Sequence, residues 1–169
     1  MTVYRIRKAT DRDLPSLPAI EQAACMLFLE TRYAALAEHP NASEHIDTAH
    51  DRVWVATYQD VPIGFAMARV HGDTVHLCEL HIHPNFSRRG LGSQLIDHVA
   101  AWARTQNAIS LTLTTFADIA WNGPYYSRLG FTTVARPELS EHLRVILQAE
   151  AAVGVPMEHR IAMRRDLWA

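Results

Sequence analysis

The chain has 169 residues, 49% of them hydrophobic and 20% charged, with 16 Lys and Arg against 18 Asp and Glu for a net charge of −2. That length suits one domain, residues 1–169, around a single core, and the near-neutral total removes the electrostatic case for nucleic-acid binding. Two cysteines, Cys25 and Cys78, supply neither a disulfide framework nor a four-cysteine zinc cluster, and no stretch approaches the ~20 apolar residues of a membrane helix. The start, Met1-Thr2-Val3-Tyr4-Arg5-Ile6-Arg7, lacks an apolar signal region, so a cytoplasmic protein with no membrane partner is expected.

Apolar and polar side chains alternate over residues 3–8, which predicts a strand. Thr10-Asp11-Arg12-Asp13 reads as a capping box, and Leu14, Leu17, Ile20, Ala24 and Leu27 then fall on one helical face. Residues 34–51 are polar and His-rich, predicting a short helix with loops. Residues 53–58 predict a strand, Gln59-Asp60-Val61-Pro62 a turn, and residues 63–70 the next strand. His71-Gly72-Asp73 turns into a strand over residues 74–83, which Pro84 ends because it has no ladder N–H. Leu91, Leu95, Val99 and Trp102 give a helix, residues 109–115 a strand, and residues 121–129 a short helix closed by Gly130. Residues 131–135 are strand-like, residues 139–152 helical, and residues 160–165 form a last strand. Hairpins first and a strand–helix–strand unit after them predict an α/β mixed sheet of about six to seven strands with helices on its faces.

Two segments carry chemistry. The first is Pro84-Asn85-Phe86-Ser87-Arg88-Arg89-Gly90-Leu91-Gly92-Ser93, where two glycines and two arginines open a helix. Unpaired N–H groups and the positive dipole end at a helix start suit a phosphate or pyrophosphate, and glycines let a ligand approach the backbone. The segment lacks the Gly-Lys-Ser/Thr of a P-loop, and Leu95 stands where a dinucleotide fingerprint needs a third glycine. The second segment is Trp121-Asn122-Gly123-Pro124-Tyr125-Tyr126-Ser127-Arg128-Leu129-Gly130-Phe131.

Together these segments resemble the GNAT superfamily of acyl-CoA-dependent N-acyltransferases. That family pairs a Gln/Arg-x-x-Gly-x-Gly/Ala turn with a downstream Asn and a Tyr-x-x-x-Gly-Phe. Here the turn is Ser87-Arg88-Arg89-Gly90-Leu91-Gly92, with Ser in the first position, and Tyr126-Ser127-Arg128-Leu129-Gly130-Phe131 matches completely. The resemblance implies the GNAT fold, with a V-shaped acyl-CoA slot where two strands splay. It implies acetyl-CoA as co-substrate, no metal, and a primary amine of a small molecule or peptide as acceptor. Homodimers are common in the family. Backbone N–H groups of Arg89, Gly90, Leu91, Gly92 and Ser93, helped by Arg88, would cradle the pyrophosphate. Leu80 and Ile82 would offer backbone groups to the pantetheine arm, Asn122 would hydrogen-bond the same region, and Tyr126 would stand near the sulfur as the acid.

Thioester aminolysis needs a neutral amine, whereas a Lys-like amine has a pKa of about 10.4, so a base is required. Strand alternation places Cys78, Leu80 and Ile82 on one face and Glu79, His81 and His83 on the other, unless a bulge shifts the register. Glu79 is the first candidate base and His81 the second. A metal held by Glu79, His81 and His83 is disfavoured, because positions i, i+2 and i+4 span about 13 Å at ~3.3 Å per residue. Glu21 and Glu30 read as solvated helix-face charges, with a cationic substrate as the rival role. The ten histidines look scattered and mostly superficial, and both cysteines read as apolar fillers. The acceptor cleft would draw on residues 21–50 and the last helix and strand. Protein N-terminal or Lys acetylation is the rival within enzymes, and a non-catalytic acyl-CoA sensor is the rival outside them.

Overall fold

The computed structural model describes residues 3–38 and 42–168. Seven strands form one sheet: β1 (Tyr4–Lys8), β2 (Asp51–Tyr58), β3 (Val61–His71), β4 (Thr74–Ile82), β5 (Ser110–Phe116), β6 (Thr132–Thr133) and β7 (Arg160–Asp166). Their order is β1-β2-β3-β4-β5-β7-β6. The β1–β2, β2–β3, β5–β7 and β6–β7 pairs are antiparallel, whereas β4–β5 is parallel. The helices are α1 (Leu17–Cys25), α2 (Leu91–Thr105), α3 (Gly123–Arg128) and α4 (Glu141–Ala152). The α2 crossover supplies the long connection a parallel pair requires. The parallel ladder is short: it matches only Thr74, Val75 and His76 with Ser110, Leu111 and Thr112.

The chain divides into two compact units, Met1–Arg69 with Leu77–Trp102, and Val70–His76 with Ala103–Ala169. In the first, Leu17 and Ile20 of α1 pack with Val53, Val55, Phe65 and Met67 of β2 and β3, and Cys78 lies against them. The expected filler role of Cys78 therefore holds. The α2 positions Leu95, Ile96 and Val99 are completely buried, as the helical spacing requires.

The expected single helix from Leu14 to Leu27 is instead a 3-10 turn (Leu14–Ser16), α1, and a second 3-10 segment (Met26–Glu30). A helix begun at Leu14 would need an N–H at position 18 to reach the Leu14 carbonyl, and Pro18 has none. After Cys25 the tighter 3-10 winding takes Leu27 off the buried face, leaving it 44% exposed. The capping box forms only in part. Asp13 accepts from the Thr10 N–H at 2.7 Å and hydroxyl at 2.9 Å, but no side chain caps the helix start at Asp13 or Ser16. Asp13 is instead gripped by both Arg7 guanidinium nitrogens, at 2.7 and 2.9 Å. That grip holds its carboxyl well below the usual range.

The second unit contradicts the picture of scattered surface histidines. His71 and His142 stack with centroids 3.6 Å apart, and His76 meets His142 edge-on at 5.2 Å. His76 is 4% exposed, and its Nδ1 lies 3.0 Å from Thr112 Oγ1. Burial, then the charges of His142, His71 and Arg160, push His76 down to about 3. Burial and then His71 push His142 down to about 4. In the same unit Arg160 forks onto Glu150 at 3.0 Å through both nitrogens and lies over the Phe116 ring.

These two imidazoles stay neutral in the folded chain while the unfolded chain protonates near pH 6.5. Their contribution to stability is thus complete above pH 6.5 and declines as pH falls toward 4 and then 3. Urea-unfolding free energies should fall over pH 6.5–4, with His76 adding a slope of at most about 1.4 kcal/mol per pH unit. His76→Leu should flatten that slope; an unchanged slope would assign acid sensitivity to other groups.

Candidate active site

β4 begins in one unit and ends in the other, and its distal half, Leu77 onward, belongs to the first. There it runs very close to β3. A Cβ on Gly64 would lie 2.5 Å from Ile82 Cδ1 and 2.9 Å from the His81 carbonyl oxygen, so only glycine permits the approach. His83 N–H then bonds the Ile63 carbonyl at 2.8 Å. Strict strand alternation is not kept between Cys78 and His81. Cys78 packs against the cluster of Leu17, Ile20 and Phe65, and Glu79 and His81 also lie on the α1 side, near Glu21, with His81 Nε2 2.7 Å from Glu79 Oε2. Their side chains are 24% and 16% exposed, open enough for contact with a small reactant and closed enough to strengthen the pair. Phe65 packs its ring 5.3 Å from His81. Burial lowers the proton affinity of His81, but the hydrogen bond to Glu79 and the charges of Glu79 and Glu21 outweigh it. The imidazole is therefore held above its ordinary 6.5.

Glu21 overturns its expectation as a solvated charge. It is 3% exposed. Its Oε1 accepts from Ala42 N at 3.0 Å, and its Oε2 accepts from Ser43 N at 2.9 Å and from the Ser43 hydroxyl. One atom each of Glu21, Glu79 and His81 lies within 4.8 Å of the others. The three-residue group is thus not Glu79, His81 and His83; His83 Nδ1 accepts the Asn85 N–H instead. A signal for Glu21 was present in the sequence: it occupies the i+4 place after Leu17, inside the apolar stripe. Glu30 is exposed.

Cys25 faces the same carboxylates. Burial, then Glu21 and Glu79, push its thiol up to about 12, and Cys78 is likewise pushed up to about 12 by burial, Asp51 and Glu79. Neither is a thiolate near neutral pH.

Past Pro84–Phe86, a 3-10 turn, the chain takes positive φ at Arg88 (59°) and Gly90 (72°) before α2 starts. Gly90 accepts from Gln94 N, Gln94 Nε2 and Ser93 Oγ. Gln94 is thus the first residue to donate an i→i−4 bond, and the amides of Leu91, Gly92 and Ser93 precede it. Arg88 and Arg89 are exposed, and the Arg89 guanidinium lies 5.8 Å from the Tyr4 ring centroid. The arrangement fits an anion: a turn with two left-handed residues, helix-start amides ahead of the first i→i−4 bond and two flanking cations.

The other candidates lie in the second unit. Asn122 Oδ1 accepts from Thr115 Oγ1 at 2.7 Å, which fixes the side-chain amide. Its carbonyl accepts from Tyr126 N at 3.0 Å. Tyr126 is half-buried, edge-on to Tyr125 at 5.4 Å and to Phe131 at 5.8 Å, and Phe131 is 2% exposed. Gly130, with φ +87°, turns the chain so that Phe131 N–H bonds the Tyr126 carbonyl at 3.1 Å. The Gly-Phe pair therefore braces the helix that carries Tyr126.

The model of the acetyltransferase (GNAT) family matches residues 18–131. A [ribosomal protein bS18]-alanine N-acetyltransferase from Salmonella typhimurium is 32% identical over 98 residues, 55% of this chain and 66% of that protein. This chain therefore spans slightly less than two thirds of that curated relative. Among solved structures, the PaiA N-acetyltransferase of Thermoplasma acidophilum in complex with coenzyme A superposes with a TM-score of 0.75 at 12% identity, covering 97% of this chain and 99% of that one. The ribosomal-protein-S18-alanine N-acetyltransferase of Escherichia coli does so at 0.70 and 20% identity, covering 98% and 94%.

Gly64→Ala tests the close approach that orients His81. It should cost about 1–3 kcal/mol in urea unfolding, since backbone must give way. A loss below about 0.5 kcal/mol would mean that β3 and β4 separate easily.

Proposed function

Because this chain belongs to the acetyltransferase (GNAT) family, acetyl-CoA-dependent N-acetyltransferases, we propose that it transfers acetyl to a primary amine by direct attack in a ternary complex, with residues 1–169 acting as one catalytic domain. The observation that carries this reading is the Glu79–His81 pair, 2.7 Å apart on β4, followed in the same unit by the anion-fitting turn before α2. The family match runs through both units, which supports a single catalytic domain.

In this reading, amides of residues 89–93 and the Arg88 and Arg89 side chains hold the pyrophosphate of acetyl-CoA. The β4–β5 ladder stops at His76 and Thr112, and the Leu80 and Ile82 backbone beyond it serves the pantetheine arm, with Asn122 as a further partner. The ammonium nitrogen loses one proton to the Glu79–His81 pair and its lone pair bonds the thioester carbon. As the C–S bond breaks, its electron pair goes to sulfur, which takes a proton through the Tyr126 hydroxyl. The second nitrogen proton leaves as the amide forms, so one proton is released per turnover. Cys25 and Cys78, held as neutral thiols, are poor candidates for an acyl-enzyme, which supports direct attack.

The match to a bS18-alanine N-acetyltransferase favours a second reading, in which the amine is a protein N-terminus. A panel of small amines, lysine peptides and alanine-starting peptides, assayed by CoA-thiol release, separates the two. Tight acetyl-CoA binding with no acetylation across that panel would replace both with a sensor role.

For the cofactor loop, dephospho-CoA should bind nearly as CoA does and pantetheine much more weakly, as read by calorimetry. Equal affinities for CoA and pantetheine would remove the pyrophosphate role, and Gly92→Asp should abolish binding in a folded protein. Tyr126→Phe keeps the ring and should lower kcat about 10²-fold with acetyl-CoA affinity unchanged; full turnover would retire the acid role.

A further inference from the structure

Glu21 from α1 meets Glu79 and His81 from β4, each with one atom within 4.8 Å of the other two. Two carboxylates this close repel unless a cation stands with them. The His81 imidazolium can be that cation, since its Nε2 lies 2.7 Å from Glu79. Glu21 is differently engaged. Its hydrogen-bond partners among the described residues are the N–H groups of Ala42 and Ser43 and the Ser43 hydroxyl, which fix the carboxylate and carry no charge themselves. Cys25 also faces Glu21 and Glu79 but stays neutral, and the Phe65 ring against His81 carries no charge.

We propose that Glu21 is a positioning residue for proton transfer. Locked by residues 42 and 43, it sets a second negative charge against the Glu79–His81 pair, so the imidazole keeps a proton until the acceptor's own ammonium group enters and takes over that charge position. The inference rests on the acetyl-transfer reading above. The cycle balances. The entering ammonium brings one positive charge, and the His81 proton leaves to solvent. The neutral imidazole, with Glu79 behind it, then takes one proton from the ammonium and the amine attacks. The second nitrogen proton ends on sulfur. The neutral amide departs and His81 is left protonated, as at the start.

The test is an NMR pH titration of the His81 ring in protein without acceptor. Glu21→Gln keeps the shape of the side chain and removes its charge, and should lower the His81 midpoint by about 0.5–1 pH unit. Ser43→Ala removes one donor and leaves the charge, and should stay within about 0.2 of wild type. An unchanged His81 midpoint in folded Glu21→Gln overturns the proposal. Should that variant not fold, Glu21→Asp retains the charge one methylene further back and should give a smaller drop, and no drop overturns it equally. With any amine accepted in the panel, the acid limb of kcat/KM in Glu21→Gln should move to lower pH by the NMR difference, while KM rises for the amine and not for acetyl-CoA. A uniform loss of rate with an unmoved limb would make Glu21 merely structural and would also overturn the proposal. If no amine is acetylated, the acetyl-transfer reading fails, and the titration still decides the charge coupling by itself.

Discussion

A carboxylate and an imidazole 2.7 Å apart on a half-buried strand must be held by what packs around that strand. On the core side, Cys78 packs into the cluster of Leu17, Ile20, Val53, Val55, Phe65 and Met67. On the strand's edge, Gly64 lets β3 approach so closely that a methyl group would strike the His81 carbonyl. The period of two in a strand then presents Glu79 and His81 together, toward Glu21 of α1 and the Phe65 ring. The positions of the buried Glu21 and of the segment it ties down, and the raised proton affinity of His81, all refer back to that pair.

The molecule treats histidine in two opposite ways. His76 is buried and His142 half-buried beside other imidazoles, so desolvation and like charge act together and keep both neutral. His81 is also largely shielded from water, yet two carboxylates outweigh that desolvation and favour its charged form. The stability linkage reverses accordingly. The contribution from His81 is complete below pH 6.5 and is lost as pH rises through its folded value, whereas that from the other two is lost as pH falls. One residue type is thus kept neutral at His76 and His142 and held charged at His81, and the difference lies in the neighbours.

The two proposed chemical functions also rest on different kinds of groups. Anion binding before α2 relies on backbone amides shaped by positive φ at Arg88 and Gly90, which explains why Ser can stand at position 87 without removing the turn. Proton transfer relies on side chains whose neighbours set their charge. Tyr126 stands on a third footing: a one-and-a-half-turn helix, too short to be stable alone, braced by Phe131 and by the Asn122 carbonyl.

Much of this was legible in the chain itself. Local patterns encode the order of elements, the turn at Gly90, the brace at Gly130-Phe131 and the shared face of Glu79 and His81, because each depends on residues a few places apart. The broken first helix was legible in principle too, through Pro18. What the linear order could not encode are meetings between distant segments. The burial of Glu21 depends on Ala42 and Ser43 supplying three donors, and the histidine group depends on residue 142 reaching residues 71 and 76. A charged side chain is read from sequence as solvated because burial alone is costly. Only the tertiary structure can supply the partners that make burial affordable, and here it decided which carboxylate joins Glu79 and His81 and which histidines stay neutral.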